Sequence, residues 1–224
     1  DLRLYASIFL PPLGSYSGTK YNDIIYDCFK GANTADSYNK FTLFNGYCPK
    51  KGCDPSIINN LGSTPTYTPI MRYAEVLLSY LEALNESQPS TIDQNILDLT
   101  INDIRNRVKL TDIKKADVPT QELVREAIRK ERRVELAFEG LRYYDVLRWE
   151  IAEKELNHTF TGVKLSDDPN ARNYRGSGTA ASPVDENMYY QFEKRTWSSH
   201  NRYFPIPQND LNVNKNLKQN TGYN

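Results

Sequence analysis

The 224 residues suffice for one or two domains with a sizeable core, and 28 Lys and Arg balance 28 Asp and Glu, so no field of one sign exists to hold nucleic acid or another polyanion. No apolar run approaches the roughly 18 residues of a membrane span, and Asp1 to Leu10 lack the basic and apolar layout of a signal peptide. The expectation is a soluble chain and, because it opens on Asp-Leu-Arg without Met, a fragment of a longer precursor.

Residues 1–68 are rich in Gly, Pro, Asn, Ser and Tyr, with apolar clusters only at Ala6–Leu10 and Phe41–Phe44, and predict an irregular, loop-rich cap with at most short strands. All the cysteines lie here. Cys48 and Cys53 bound a tight loop that a disulfide would favour by about 2 kcal/mol in an oxidising compartment, which leaves Cys28 odd. A metal site lacks its further ligands, since His158 and His200 are far along the chain, so the expectation is a disulfide or buried thiols, with no metal and no cofactor.

Residues 69–156 predict helices. Ile70, Tyr73, Ala74, Leu77, Leu81 and Leu84 follow helical spacing, and Val76, Leu78, Tyr80 and Ala83 widen the apolar surface, which predicts a helix packed on most sides. Ser90 with Asp93 resembles a capping box that opens a second helix, with Leu97, Ile101, Ile104 and Val108 as its buried stripe. Pro119-Thr120 opens a third, with Leu123, Ala127, Val134, Phe138 and Leu141 in register and Gly140 at its end or at a kink. A fourth runs from Arg142 to about Leu156. Two successive helical hairpins are the unit of an α-solenoid, which needs about three or more repeats to bury its faces, so residues beyond these are expected to cover part of the surface. Residues 157–224 return to Gly, Ser, Asn, Pro and Tyr without helical period, and predict an irregular region packing on the helices.

Glu131, Glu135 and Glu139 recur every four residues without a basic residue four places on from any of them, so their partners must come from elsewhere. Arg105, Arg107, Arg142 and Arg148 are the candidates, because a guanidinium binds a carboxylate through two parallel hydrogen bonds. Structural pairing is the reading preferred to metal or acid–base chemistry, since no helical His accompanies the acids. Arg125, Arg129 and Arg133 form a separate basic ribbon that reads as a solvated face, and Pro205-Ile206-Pro207 fixes an extended segment that lays Tyr203 and Phe204 against the helices. Candidate ligand contacts are loop aromatics: Tyr16 and Tyr21 in one Gly/Ser-rich stretch, and Tyr189, Tyr190 and Trp197, beside Asn201 and Arg202, in the other.

Three segments carry a resemblance to the C-terminal half of the SusD/RagB family. The first runs Met71-Arg72-Tyr73-Ala74-Glu75-Val76-Leu77-Leu78 through Tyr80, Glu82, Ala83 and Asn85, then to Asn102, Arg105 and Arg107. The second is Glu131-Arg132-Arg133-Val134-Glu135-Leu136-Ala137-Phe138-Glu139-Gly140-Leu141-Arg142, continuing to Asp145, Arg148 and Trp149. The third is Tyr203-Phe204-Pro205-Ile206-Pro207 with Asn216-Leu217 and Gln219 to Tyr223. Leu81, Val108 and Thr221 depart mildly from the family pattern, and the family's N-terminal half, with its lipoprotein signal and lipidated Cys, is not among these residues.

The resemblance implies a mainly α fold, a portion of a tetratricopeptide-like α-α superhelix with long irregular loop regions. It implies a non-enzymatic lipoprotein at the outer-membrane surface that holds an oligosaccharide as a lid on a SusC-like TonB-dependent transporter, tied to the membrane only through a lipid anchor. Two alternatives stand beside it: an oligopeptide-binding member of the same family, and a helical-repeat scaffold for another protein. A glycosidase would need two carboxylates about 5 to 10 Å apart in a cleft, and no nucleophile motif, phosphate loop or metal-ligand cluster supports an enzyme.

Overall fold

The computed structural model describes residues 1–10, 20–21, 24–25, 47–52, 69–164, 185–187 and 189–223. They are organised as two compact units, Asp1–Arg142 and Tyr143–Asn224. The fold is mainly α.

In the first unit a short helix, α1 (Arg3–Ser7), runs into β1 (Ile8–Phe9), which pairs antiparallel with β4 (Cys48–Pro49); β2 (Lys20–Tyr21) pairs with β3 (Ile24–Ile25). Helix α2 (Tyr73–Ser87) follows Arg72, whose extended backbone sets the start. It buries Leu77, Leu78, Leu81 and Asn85, while Tyr73, Val76 and Tyr80 face outward. The wide apolar surface expected for this helix is therefore buried on one side only. The second helical stretch begins at Asp93, whose carboxylate accepts the Ile96 N–H at 2.9 Å; Ser90 lies in a preceding 3-10 turn, Pro89–Thr91, and does not cap it. The stretch is α3 (Gln94–Leu97), one π turn (Asp98–Asn102) and α4 (Asp103–Arg107). The π turn adds a residue per turn, so Thr100, Ile101 and Asn102 all point inward.

Helix α5 (Gln121–Glu135) opens on Thr120, whose hydroxyl accepts the Leu123 N–H. Its buried face is Val124, Ile128, Glu131, Arg132 and Glu135, one residue on from the expected Leu123 register. Leu123 and Phe138 are exposed, and the chain turns after α5 with Phe138 and Gly140 at positive φ. The shift has a physical origin: the lower half of the buried face is ionic, and an apolar pattern cannot register it. Leu77, Leu78, Leu81, Ile92, Leu97, Ile101, Ile104, Val118, Val124 and Ile128 form one core between α2, α5 and the α3–α4 stretch. Arg125 closes the rim with two 2.7 Å bonds to Glu86 of α2, so this member of the basic ribbon is an interhelical clamp and not only a solvated face.

In the second unit, the single helix expected over 142–156 is two, α6 (Arg142–Arg148) and α7 (Ala152–Leu156), parted at Glu150, which has φ 56°. The described residues beyond Leu156 include regular elements where loops are predicted: β5 (Thr159–Lys164) and β6 (Tyr189–Lys194) form an antiparallel hairpin with two register shifts, and α8 spans Gln208–Val213. The Pro205–Pro207 segment is held by the Gln219 carboxamide, which accepts from Ile206 N at 2.8 Å and donates to Ile206 O at 2.9 Å. Phe204 is 76% exposed and Tyr203 61%, with Phe204 6.4 Å from the Tyr143 ring of α6, so the segment does not bury this aromatic pair. Gly222 combines φ +92° with a position where a Cβ would lie 2.5 Å from His200 Cβ, and only glycine fits.

One buried amide ties the long loop after α4 to the helices. Asn102 Nδ2 donates to Ile113 O at 3.0 Å and to Asp98 at 2.7 Å, while its Oδ1 accepts the Ile113 N–H at 2.7 Å. An apolar replacement would strand the Ile113 N–H and leave its carbonyl with only the longer bond from Gln94 Nε2, 3.2 Å. The Asn102→Ala variant is expected to lose about 2–3 kcal/mol in urea unfolding, with amide exchange at Ile113 accelerating more than at Leu78.

Candidate functional site

The acidic ladder is the most elaborated polar feature among the described residues. Glu131 and Glu135 lie one turn apart on α5, each buried, and Glu139 follows in the turn beyond it. Arg105 donates to Glu131 at 3.0 Å and Arg107 to both oxygens of Glu135 at 2.6 and 2.7 Å. Three further cations are not among the expected partners, and two of them, Arg3 and Lys51, come from segments without periodicity. Arg3 of α1 bridges Glu131 and Glu135, Arg72 spans Glu135 at 3.1 Å and Glu139 at 2.6 Å, and Lys51 reaches Glu139 and the Glu135 carbonyl. Asp1 completes the set by pairing with Arg3. Arg72 stands at the N-cap of α2, within the segment Met71 to Leu78 that carries the family resemblance, and that position is the one signal that points to it. Arg148 pairs instead with Asp145 within α6 at 2.8 Å and lies over the Trp149 ring, and Arg142 begins the same helix.

Burial opposes ionisation of Glu139, but hydrogen bonds from Arg72 and Lys51 outweigh it and hold the carboxyl below the ordinary glutamate range. Reciprocally, the hydrogen bond to Glu139 raises the Arg72 guanidinium above its usual value. Each carboxylate is thus surrounded by donors that compensate its desolvation. A charged, fully donated carboxylate is a poor acid or base, and its lone pairs are committed to cations, so the ladder is architecture. Among the described residues no group of three or more His, Cys, Asp or Glu is placed to hold a metal ion, and no helix is long and apolar enough to cross a membrane.

The candidate ligand residues divide by what the structure describes. Tyr16, Cys28 and Cys53 lie outside the described residues, and with Cys53 the proposed Cys48–Cys53 bridge; Cys48 itself is half-buried in β4. Tyr21 and Tyr190 lie in β2 and β6, and their side chains are likewise outside the description. Tyr189 opens β6 with an exposed ring. Trp197 follows the hairpin, its backbone clamped by Asn157, whose Nδ2 donates to Trp197 O at 3.1 Å while its Oδ1 accepts the Trp197 N–H at 2.5 Å. Asn201 accepts the Ser198 N–H at 2.9 Å and caps the 3-10 turn Ser199–Arg202, and Arg202 donates to Glu150 at 2.6 Å. The amide and guanidinium expected beside Trp197 are thus engaged in holding its loop. Sequence reasoning assigned no role to Asn157, because an exposed Asn carries no pattern.

The SusD family matches residues 1–223. SusD-like protein P2 of Formosa agariphila is 34% identical over 117 residues, 50% of this chain and 22% of that protein. The crystal structure of a SusD-like carbohydrate binding protein from Bacteroides fragilis superposes with a TM-score of 0.76 at 32% identity, covering 97% of this chain and 41% of that one. A second SusD-like protein of the same organism gives 0.68 at 27% identity, over 99% and 38%. The chain spans less than half the length of these relatives.

Removing the Glu135 carboxylate leaves three guanidinium groups facing one another, and Glu135→Ala is expected to destabilise by about 3 kcal/mol in urea unfolding, the lower end of the range for a broken buried pair because Arg107 is partly solvated. Glu139 gives a pH signature. Its folded pKa is depressed, so its contribution is present above the ordinary glutamate value and is lost as pH falls through the folded value. Between about pH 5 and pH 3 the urea midpoint is expected to fall more steeply in the wild type than in Glu139→Gln.

Proposed function

The chain belongs to the SusD family, and from that premise we propose that it is part of a non-enzymatic lipoprotein at the outer-membrane surface, which captures an oligosaccharide above a SusC-like TonB-dependent transporter. The observation that carries the reading is the likeness, over 97% of the chain, to a solved SusD-like carbohydrate binding protein. In this reading the helices form a rigid frame, loops carry recognition, and aromatic rings stack on the C–H faces of sugar units. Tyr189 and Trp197, with Tyr16, Tyr21 and Tyr190, supply the rings, and Asn157, Asn201 and Arg202 hold the Trp197 loop. The buried acids favour binding over hydrolysis, because they have donors in place of a cleft. The membrane link is a lipid anchor, and release inward follows when the lipoprotein swings as a lid over the transporter.

A second reading, a scaffold for another protein, is favoured by Val76 and Tyr80, which lie one helical turn apart on the outer side of α2 at 44% and 51% exposure. A thermal-shift screen of oligosaccharides and oligopeptides separates the possibilities. Stabilisation by an oligosaccharide is expected, with Trp197→Ala weakening it by about ten-fold in Kd, or about 1.4 kcal/mol. Stabilisation by peptides alone would make the cargo an oligopeptide, and no response to either class would move the scaffold ahead.

A further inference from the structure

The start of α2 and one side of α4 line an open cleft of about 430 Å³, which includes Arg72 and Arg107 of the ladder and none of the candidate ligand residues above. Its volume is within the range of small-ligand sites, about 300–1,000 Å³. Ala74, Leu77 and Ile104 make an apolar floor, and Tyr73, 71% exposed, stands at the edge as a ring without a stacking neighbour among the described residues. Along α4, Asp103, Asn106 and Arg107 recur at three- and four-residue spacing, so they share the side that lines the cleft.

The hydrogen-bonding capacity of this wall is largely unused. Among the described residues, the Asp103 carboxylate has no ion-pair or hydrogen-bond partner, and the Asn106 carboxamide has none. Arg107 binds Glu135 through Nη2 only, which leaves the hydrogens on Nε and Nη1 directed elsewhere. The ion ladder fixes that guanidinium from behind, so its remaining donors are oriented in advance. A floor of methyl groups, one exposed aromatic edge, a carboxylate and a carboxamide that accept and donate in pairs, and a fixed guanidinium are the groups that recognise a ring with one C–H face and several adjacent hydroxyls.

We propose that this cleft is a saccharide subsite that takes one neutral pyranose unit, with Tyr73 against its C–H face, Asp103 and Asn106 on adjacent hydroxyls, and Arg107 donating to a hydroxyl or ring oxygen. The inference rests on the carbohydrate-binding reading above and adds a site to it. Asp103 and Arg107 bring opposite charges to the wall, so neither sign of sugar charge is favoured and a neutral unit fits.

The test is calorimetry on the full chain with maltohexaose, cellohexaose and laminarihexaose as probes, joined to methyl NMR of Ala74, Leu77 and Ile104. For a hexasaccharide that binds, Tyr73→Ala and Asp103→Ala are each expected to raise Kd at least ten-fold with unchanged unfolding midpoints, since both side chains are solvent-facing, and the floor methyl resonances shift on titration. If a hexasaccharide binds wild type and both variants equally and leaves those methyls in place, the cleft assignment is overturned while the carbohydrate reading stands. If none of the three binds the wild type at millimolar concentration, the assignment to neutral hexopyranose falls; binding of a different glycan by a Trp197-dependent route would then keep the broader reading without this site.

Discussion

One buried carboxylate organises the first unit. Glu135, 2% exposed, is bonded by Arg3, Arg72 and Arg107, which come from α1, the start of α2 and the end of α4. Desolvating a carboxylate is costly, and the cost is offset only if every lone pair meets a donor in good geometry. That requirement fixes more than stability. The three donors must arrive together, so the N-terminal segment, two helices and α5 can satisfy Glu135 in one arrangement, whereas an apolar contact of the same area would tolerate sliding. Glu131 and Glu139 extend the constraint one turn in each direction, with Arg72 shared between Glu135 and Glu139 as a rivet.

The separations involved explain the layering. Arg3 and Glu131 are 128 residues apart, and Lys51 and Glu139 are 88 apart, whereas Arg105 and Arg107 reach α5 across fewer than 30. Near contacts carry the lower loop-closure cost, so the pairs of Arg105 and Arg107 with α5 are entropically cheaper than those of Arg3 and Lys51. The same arrangement immobilises one edge of Arg107 and leaves the other toward the cleft beside α4.

Much of this was legible in the residues, and the failures have a common cause. The helices at 73–87 and 121–135 announced themselves by period and by the Thr120 cap, and the acids at 131, 135 and 139 declared by their spacing that partners lay elsewhere. Arg3 and Lys51 did not, because a cation in an aperiodic loop has no pattern until the fold brings it to an acid. The Leu123 register failed because helical periodicity counts apolar residues, and the buried face of α5 is half ionic. The β5–β6 hairpin leaves little trace in the residues, since its bulged register breaks the alternation that marks a strand. The ligand residues were the least legible: exposed aromatics are common, and the side chains that set Trp197 in place, Asn157 and Asn201, act through backbone bonds that carry no sequence signature.

The ion ladder is therefore a poor guide to what this chain binds. A buried ion ladder tolerates little change, because replacing any one member strands the others. A solvent-facing Tyr73 or a loop-borne Trp197 carries no such penalty and is free to change with the cargo. Architecture and specificity are thus encoded at different depths: the ladder in the interior, where unpaired charge is expensive, and recognition at the rim, where a substitution alters binding and leaves the fold intact.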